Sequence, residues 1–213
     1  GNYADGEGGA IYNGQSNTIK TIEADFIDNY AMNGGAIKNL GYIGSISGDF
    51  IGNHAFGTMH YNYKYDGSGG AIYGGSISEI TGNFVNNSAL LGGAIFGQNI
   101  ETIRGNFIGN HVSSVIDLSP NGGAIYVRGV VRNIIGNFSD NYADGSTSGY
   151  ASGGAIYINT GNYFTAIENI TGDFIDNYAY VRNLNTWYAE TKGGAVYNLS
   201  LIHISEPTRQ AEI

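Results

Sequence analysis

The chain contains no cysteine, which removes disulfides, thiolate metal sites and cysteine nucleophiles together. Any extracellular life must rest on packing alone. Only two prolines occur, one of them Pro207 near the end, so no proline-rich linker divides the chain. Basic residues are few and scattered: nine Lys and Arg against eighteen Asp and Glu give a net charge of -9. That argues against nucleic acid, whose backbone needs clustered Lys and Arg, and against anionic lipid. No apolar run approaches the roughly eighteen residues of a membrane helix, and no signal-peptide pattern follows Gly1.

What is abundant is glycine, 35 of 213 residues, alongside a hydrophobic share of 42%. That is enough to bury one core, and the composition leans towards strands and tight turns rather than helix.

Self-similarity then organises the sequence. GGAI or GGAV begins at Gly8, Gly34, Gly69, Gly92, Gly122, Gly153 and Gly193, and alternates with Phe-x-x-Asn, whose Phe falls at 26, 50, 84, 107, 138 and 174. The matching asparagines are Asn29, Asn53, Asn87, Asn110, Asn141 and Asn177. Ahead of every Phe stand an apolar residue seven positions earlier (Ile19, Ile43, Ile77, Ile100, Val131, Ile167) and an Ile four earlier (Ile22, Ile46, Ile80, Ile103, Ile134, Ile170). From Phe to the next GGA the gap is 8, 19, 8, 15, 15 and 19 residues, whereas GGA to Phe stays between 15 and 18 except once, at 21. The scaffold is fixed and one corner varies.

Three folds suit such a period. A helix is disfavoured by Gly two positions before Phe in five units, by Asp or Asn immediately before Phe and by the dominance of β-branched residues. Leucine-rich repeats share an apolar frame followed by Asn, but lack a GGAI strand. The reading is all-β: a parallel β-helix of about six to seven coils, each with three strands of about five residues, stacked about 4.8 Å apart. Gly34, Gly35, Gly92 and Gly93 then supply positive φ or close backbone approach at a corner. Phe50, Phe107, Phe138 and Phe174 fill the interior, and Asn53, Asn110, Asn141 and Asn177 form a corner ladder.

The alternating GGA-[ILV] and Phe-x-x-Asn motifs resemble the repeats of chlamydial polymorphic outer membrane proteins and related autotransporter passenger domains, over residues 1–198. The resemblance implies a right-handed parallel β-helix on the bacterial outer-membrane surface or outside the cell, often adhesive, anchored by a C-terminal membrane barrel that this sequence does not contain. By frame, "GNYAD" aligns with "IGNHA", so Gly1 falls inside a motif. The segment 199–213, containing "LSLIHISEPTR", resembles an in-frame translation of a sequencing adapter and is expected not to be native. A solenoid segment lacking end caps is expected to self-associate through open strand edges.

Candidate sites follow from the columns. The residue after GGA-[IV] is Tyr12, Lys38, Tyr73, Phe96, Tyr126, Tyr157 and Tyr197; strand alternation predicts an exposed aromatic stripe, readable as a sugar platform or as a self-stacking ladder. The Asp or Asn before Phe reads as turn chemistry, its side chain capping its own backbone. Calcium is the sharper alternative. Asp140 and Asp176 share a column, as a retaining-glycosidase pair would, and parallel β-helices do host polysaccharide lyases and glycoside hydrolases. His54 and His111 replace a Tyr that otherwise follows the motif Asn, and the histidines make no metal pattern.

The variable corner is the best functional ground. Its long examples, 54–68 and 178–192, carry Tyr61, Tyr63, Tyr65, Tyr178, Tyr180, Trp187 and Tyr188 as candidate ligand contacts. The expected function is non-catalytic display of these loops to a glycan or protein on a host or neighbouring cell, with no cofactor, no metal and no nucleic-acid partner. A polysaccharide-processing enzyme and a pure spacer are the competing readings.

Overall fold

A computed structural model describes residues 1–57, 67–113, 119–145, 150–159, 167–181 and 190–198. Every regular element in them is a strand, and every pairing between strands is parallel. The strands stack into one ten-stranded sheet, two six-stranded sheets and a two-stranded pair. Along one coil the GGAI and Ile-x-x-Ile segments lie in the ten-stranded sheet and the two short strands in the six-stranded ones, and like positions of successive coils pair: Phe50 with Phe84, Phe84 with Phe107, Phe107 with Phe138. This is a parallel β-helix.

The coil is less even than three strands of about five residues. In the middle coils the GGAI segment and the Ile-x-x-Ile segment form one long strand, as in Ile72–Thr81, Ile95–Arg104 and Ile125–Ile135. The other two sides are two or three residues long, such as Phe107–Ile108 and His111–Ser113. The short sides follow from turn residues on both flanks. Gly105 and Asn106 precede Phe107, and Gly109 with Asn110 separates it from His111.

The interior consists of columns. Ile43, Ile77, Ile100 and Val131 pair in register, as do Ile46, Ile80, Ile103 and Ile134, and all eight are buried. On the adjoining sheet runs a stack of phenylalanines, 26, 50, 84, 107, 138 and 174, with ring centroids 4.7 to 5.0 Å apart and planes within 8° of parallel. The coil rise sets that separation. It matches the spacing between hydrogen-bonded strands, so one Phe per coil fills the same slot each time.

The two glycines of GGA have different tasks. Gly34 and Gly92 take φ of 57° and 61°, a left-handed turn that a side chain disfavours. Gly35 and Gly93 instead permit contact between coils: a Cβ would lie 2.1 Å from the Gly70 carbonyl oxygen and 2.0 Å from that of Gly123, respectively.

The Phe-x-x-Asn ladder satisfies a buried polar column completely. Asn53 donates from Nδ2 to Asn87 Oδ1 in the next coil and to the Phe26 carbonyl in the previous one, while its Oδ1 accepts from both the backbone N–H and Nδ2 of Asn29. All four hydrogen-bonding positions of the amide are used. Asn87, Asn110 and Asn141 repeat the arrangement, with amide-to-amide bonds of 2.9 to 3.0 Å and further donations to the Phe50, Phe84 and Phe107 carbonyls. Asn2 and Asn29 extend it below. Asn177, at the top, donates to Phe138 O and to Ile175 O of its own coil.

Candidate functional site

The aromatic column after GGA is the self-stacking ladder rather than an exposed sugar platform. Phe96, Tyr126 and Tyr157 are buried, because each ring covers the faces of its neighbours: centroids from Tyr73 through Phe96, Tyr126, Tyr157 and Tyr197 are 4.8 to 5.4 Å apart. Leu91 packs against the stack. Tyr126 and Tyr157 have phenol pKa values raised by burial, that of Tyr157 to about 12. Lys38 continues the column with its ammonium 3.4 Å from the Tyr73 ring centroid and 3.1 Å from Glu7. The outward direction given by alternation is correct, but stacking removes the surface. Only Tyr12, at the first coil, is widely exposed there.

The Asp or Asn before Phe also works differently from expectation. Its side chain bonds the next coil rather than its own backbone: Asp25 Oδ1 accepts from the Asp49 N–H, Asp49 Oδ1 from the Asn83 N–H, and Asn137 Oδ1 from the Asp173 N–H. Among the described residues no group of three or more acidic or histidine side chains is arranged to hold a metal ion. Asp140 and Asp176 lie on adjacent coils at φ of 57° and 51°, and the same column holds Asp28, Gly52, Asn86 and Gly109, all at positive φ. Asp and Asn tolerate that conformation better than other side chains, which accounts for the column by local geometry.

A partly exposed aromatic column stands elsewhere, directly after the motif Asn. It comprises Tyr3, Tyr30, His54, Ser88, His111, Tyr142 and Tyr178, paired in register where strands continue. Tyr30 meets His54 at 4.8 Å, His111 meets Tyr142 at 4.8 Å, and Tyr142 meets Tyr178 at 5.3 Å. Ser88 interrupts the rings, and its hydroxyl sits 2.6 Å from His54 Nδ1. The sequence carried this signal, since the histidines occupy the tyrosine position. It is visible only when the units are aligned on Asn.

Two candidate ligand contacts, Tyr178 and Tyr180, fall at the top of this column. Their rings are 5.5 Å apart, and Tyr180 is 6.4 Å from Tyr142. Tyr178 remains 46% exposed. Val112, Ala143 and Ala151, with Ala179 and Val181, make a small separate core beneath this corner. Tyr61, Tyr63, Tyr65, Trp187, Tyr188 and the segment 199–213 lie outside the described residues.

The long corners rejoin the scaffold at one place. The residues before each GGA form a column: Glu7 pairs with Asn33, Ser68 with Leu91, Leu91 with Asn121, Asn121 with Ser152, and Ser152 with Lys192. In the last two coils the returning strands Tyr150–Ser152 and Glu190–Lys192 pair with each other. Apart from the 21-residue spacing from Gly153 to Phe174, the large insertions thus fall between the short strand after Asn and the residue before GGA.

His54 and His111 make this corner acid-sensitive. Burial lowers both imidazole pKa values, for His54 with a further contribution from His111. Their folded pKa lies below the ordinary value of about 6.5, so their stabilisation is present above that pH and lost as pH falls through the lowered folded value. Urea stability should therefore decline from pH 7 towards pH 5.5. The double variant His54→Tyr/His111→Tyr, copying the other coils, should flatten that decline; an unchanged slope would assign it to other groups.

Stacked parallel coils, ladder-filled columns and one interrupted corner define a parallel β-helix repeat protein. Residues 47–75, running from the end of one Ile-x-x-Ile segment through Phe50 and Asn53 to the next GGAI strand, match the Chlamydia polymorphic membrane protein repeat. That segment is similar to this repeat. Comparison with curated proteins gave no match, and neither did comparison with solved structures. No helix among the described residues is long and apolar enough to cross a membrane, which says nothing of a β-barrel.

Proposed function

We propose that this chain is a non-catalytic, surface-displayed β-helix segment that binds a glycan or protein ligand on another cell through its inserted corner. The observation that carries this reading is the concentration of length variation at one corner, where Tyr142, Tyr178 and Tyr180 gather and Tyr178 stays exposed. The columns of Phe, Ile and motif Asn are consumed by coil-to-coil contacts, whereas this corner retains aromatic surface suited to recognition. The match of residues 47–75 to a membrane-protein repeat supports display at the outer-membrane surface.

The test is binding of the purified chain to a panel of immobilised glycans and matrix proteins. Replacing 182–189 with a short Gly-Ser turn, together with Tyr178→Ala and Tyr180→Ala, should weaken any binding at least tenfold while melting remains cooperative. Absence of binding across the panel would favour a spacer. Cleavage of acidic glycans, abolished by Asp140→Asn, would replace the proposal with an enzyme.

A further inference from the structure

A second surface lies on the long sheet, away from the aromatic corner. Tyr42, Ser76 and Asn99 occupy one registered outward column on three successive coils. Ser78, Glu101 and Arg132 form a second column two positions further along their strands. Ile77 and Ile100, between the columns, point into the core and are buried. The strand bends there, because the Ile-x-x-Ile spacing places two successive residues outside between inward isoleucines. The result is an open groove of about 360 Å³ that runs along the solenoid axis.

We propose that this groove binds a neutral or amino-sugar oligosaccharide laid along the axis. Its end at Tyr42 supplies a ring 43% exposed, with its hydroxyl held 3.0 Å from Ser78 Oγ. No other aromatic ring among the described residues stacks on Tyr42, unlike the rings of Tyr30 and Tyr178. Its face is therefore available to the apolar C–H face of a sugar. Beyond it the walls present hydroxyl, amide, carboxylate and guanidinium groups, the polar set that fixes sugar hydroxyls. From the coil of Tyr42 to that of Arg132 is three coil steps, on the order of 14 Å at the strand spacing and about the reach of three sugar rings.

Charge selects among glycans. Arg132 is held by Glu168 at 2.5 Å, and Glu101 adds an exposed carboxylate in a chain of net charge -9. An acidic sugar would meet repulsion here, whereas an amino sugar finds Glu101. A peptide strand is the poorer occupant. The groove crosses the face of a sheet whose backbone is already paired within the parallel ladder, so main-chain bonds of the kind that capture peptides at an edge are not offered.

Isothermal titration with chito-oligosaccharides of one to six units, in acetylated and deacetylated forms, tests this directly, with galacturonate oligomers as the acidic comparison. Affinity should rise with length and level off at three or four units. Tyr42→Ser, which copies Ser76 of the next coil, should weaken it at least tenfold, and Glu101→Gln should selectively reduce preference for the deacetylated series. Tyr178→Ala should leave it unchanged, which separates this groove from the corner. No heat at millimolar sugar, tighter binding of galacturonates, or full binding by a folded Tyr42→Ser chain would overturn the proposal.

Discussion

Gly93→Ala should destabilise the solenoid by about 4 kcal/mol, beyond the usual range of overpacking because backbone cannot swing aside as a side chain can. The added Cβ would lie 2.0 Å from Gly123 O, 2.6 Å from His111 O and 2.7 Å from His111 N. All three are backbone atoms. Relief requires the coils to separate locally, which breaks the bond from Gly93 N–H to Gly122 O and its neighbours in the ladder. Against a typical domain stability of about 5–15 kcal/mol this is a large fraction. Gly6→Ala is the matched control, since a Cβ there meets nothing within 4 Å. Urea denaturation of the two variants should differ widely; equal midpoints would show that the coils are more loosely stacked than described.

Asn110→Ala has a comparable expected effect by a different route. Asn110 is fully buried, and its amide serves four bonds: from the Asn87 N–H and Nδ2, and to Asn141 Oδ1 and Phe84 O. Truncation strands two donors and removes a donor from two acceptors in a buried column. With about 1–3 kcal/mol for each buried group left unsatisfied, a loss of about 3–5 kcal/mol is expected. Asn106→Ala removes a bond to Asn83 Oδ1 at the exposed face and should cost below about 1 kcal/mol. A small effect for Asn110→Ala in the same titration would mean that water replaces the amide.

The scaffold was largely legible because a parallel coil maps sequence period directly onto space. Phe, the inward Ile pair and the motif Asn each recur at fixed offsets, and each became a continuous column. The double role of GGA was also readable, although which glycine does which task needed the coil above it. What failed were inferences made within one unit. Alternation places Phe96 and Tyr126 outside, yet burial depends on the aromatic rings one coil away. Likewise, Asp49 looks like a residue capping its own turn, yet it receives the N–H of Asn83 from the next coil. The groove beside Tyr42 combines residues from four coils and no motif, so no single unit announced it.

The return of every corner to the column Asn33, Ser68, Leu91, Asn121 and Ser152 has a consequence for heredity. Insertions and deletions between the post-Asn strand and that column leave the Asn and Phe registers intact, whether the corner is as short as 84–92 or as long as 50–69. Corner length and coil register are therefore set by separate residues. Selection can rewrite the corner in one step, lengthening or exchanging it, without passing through an ancestor that fails to fold.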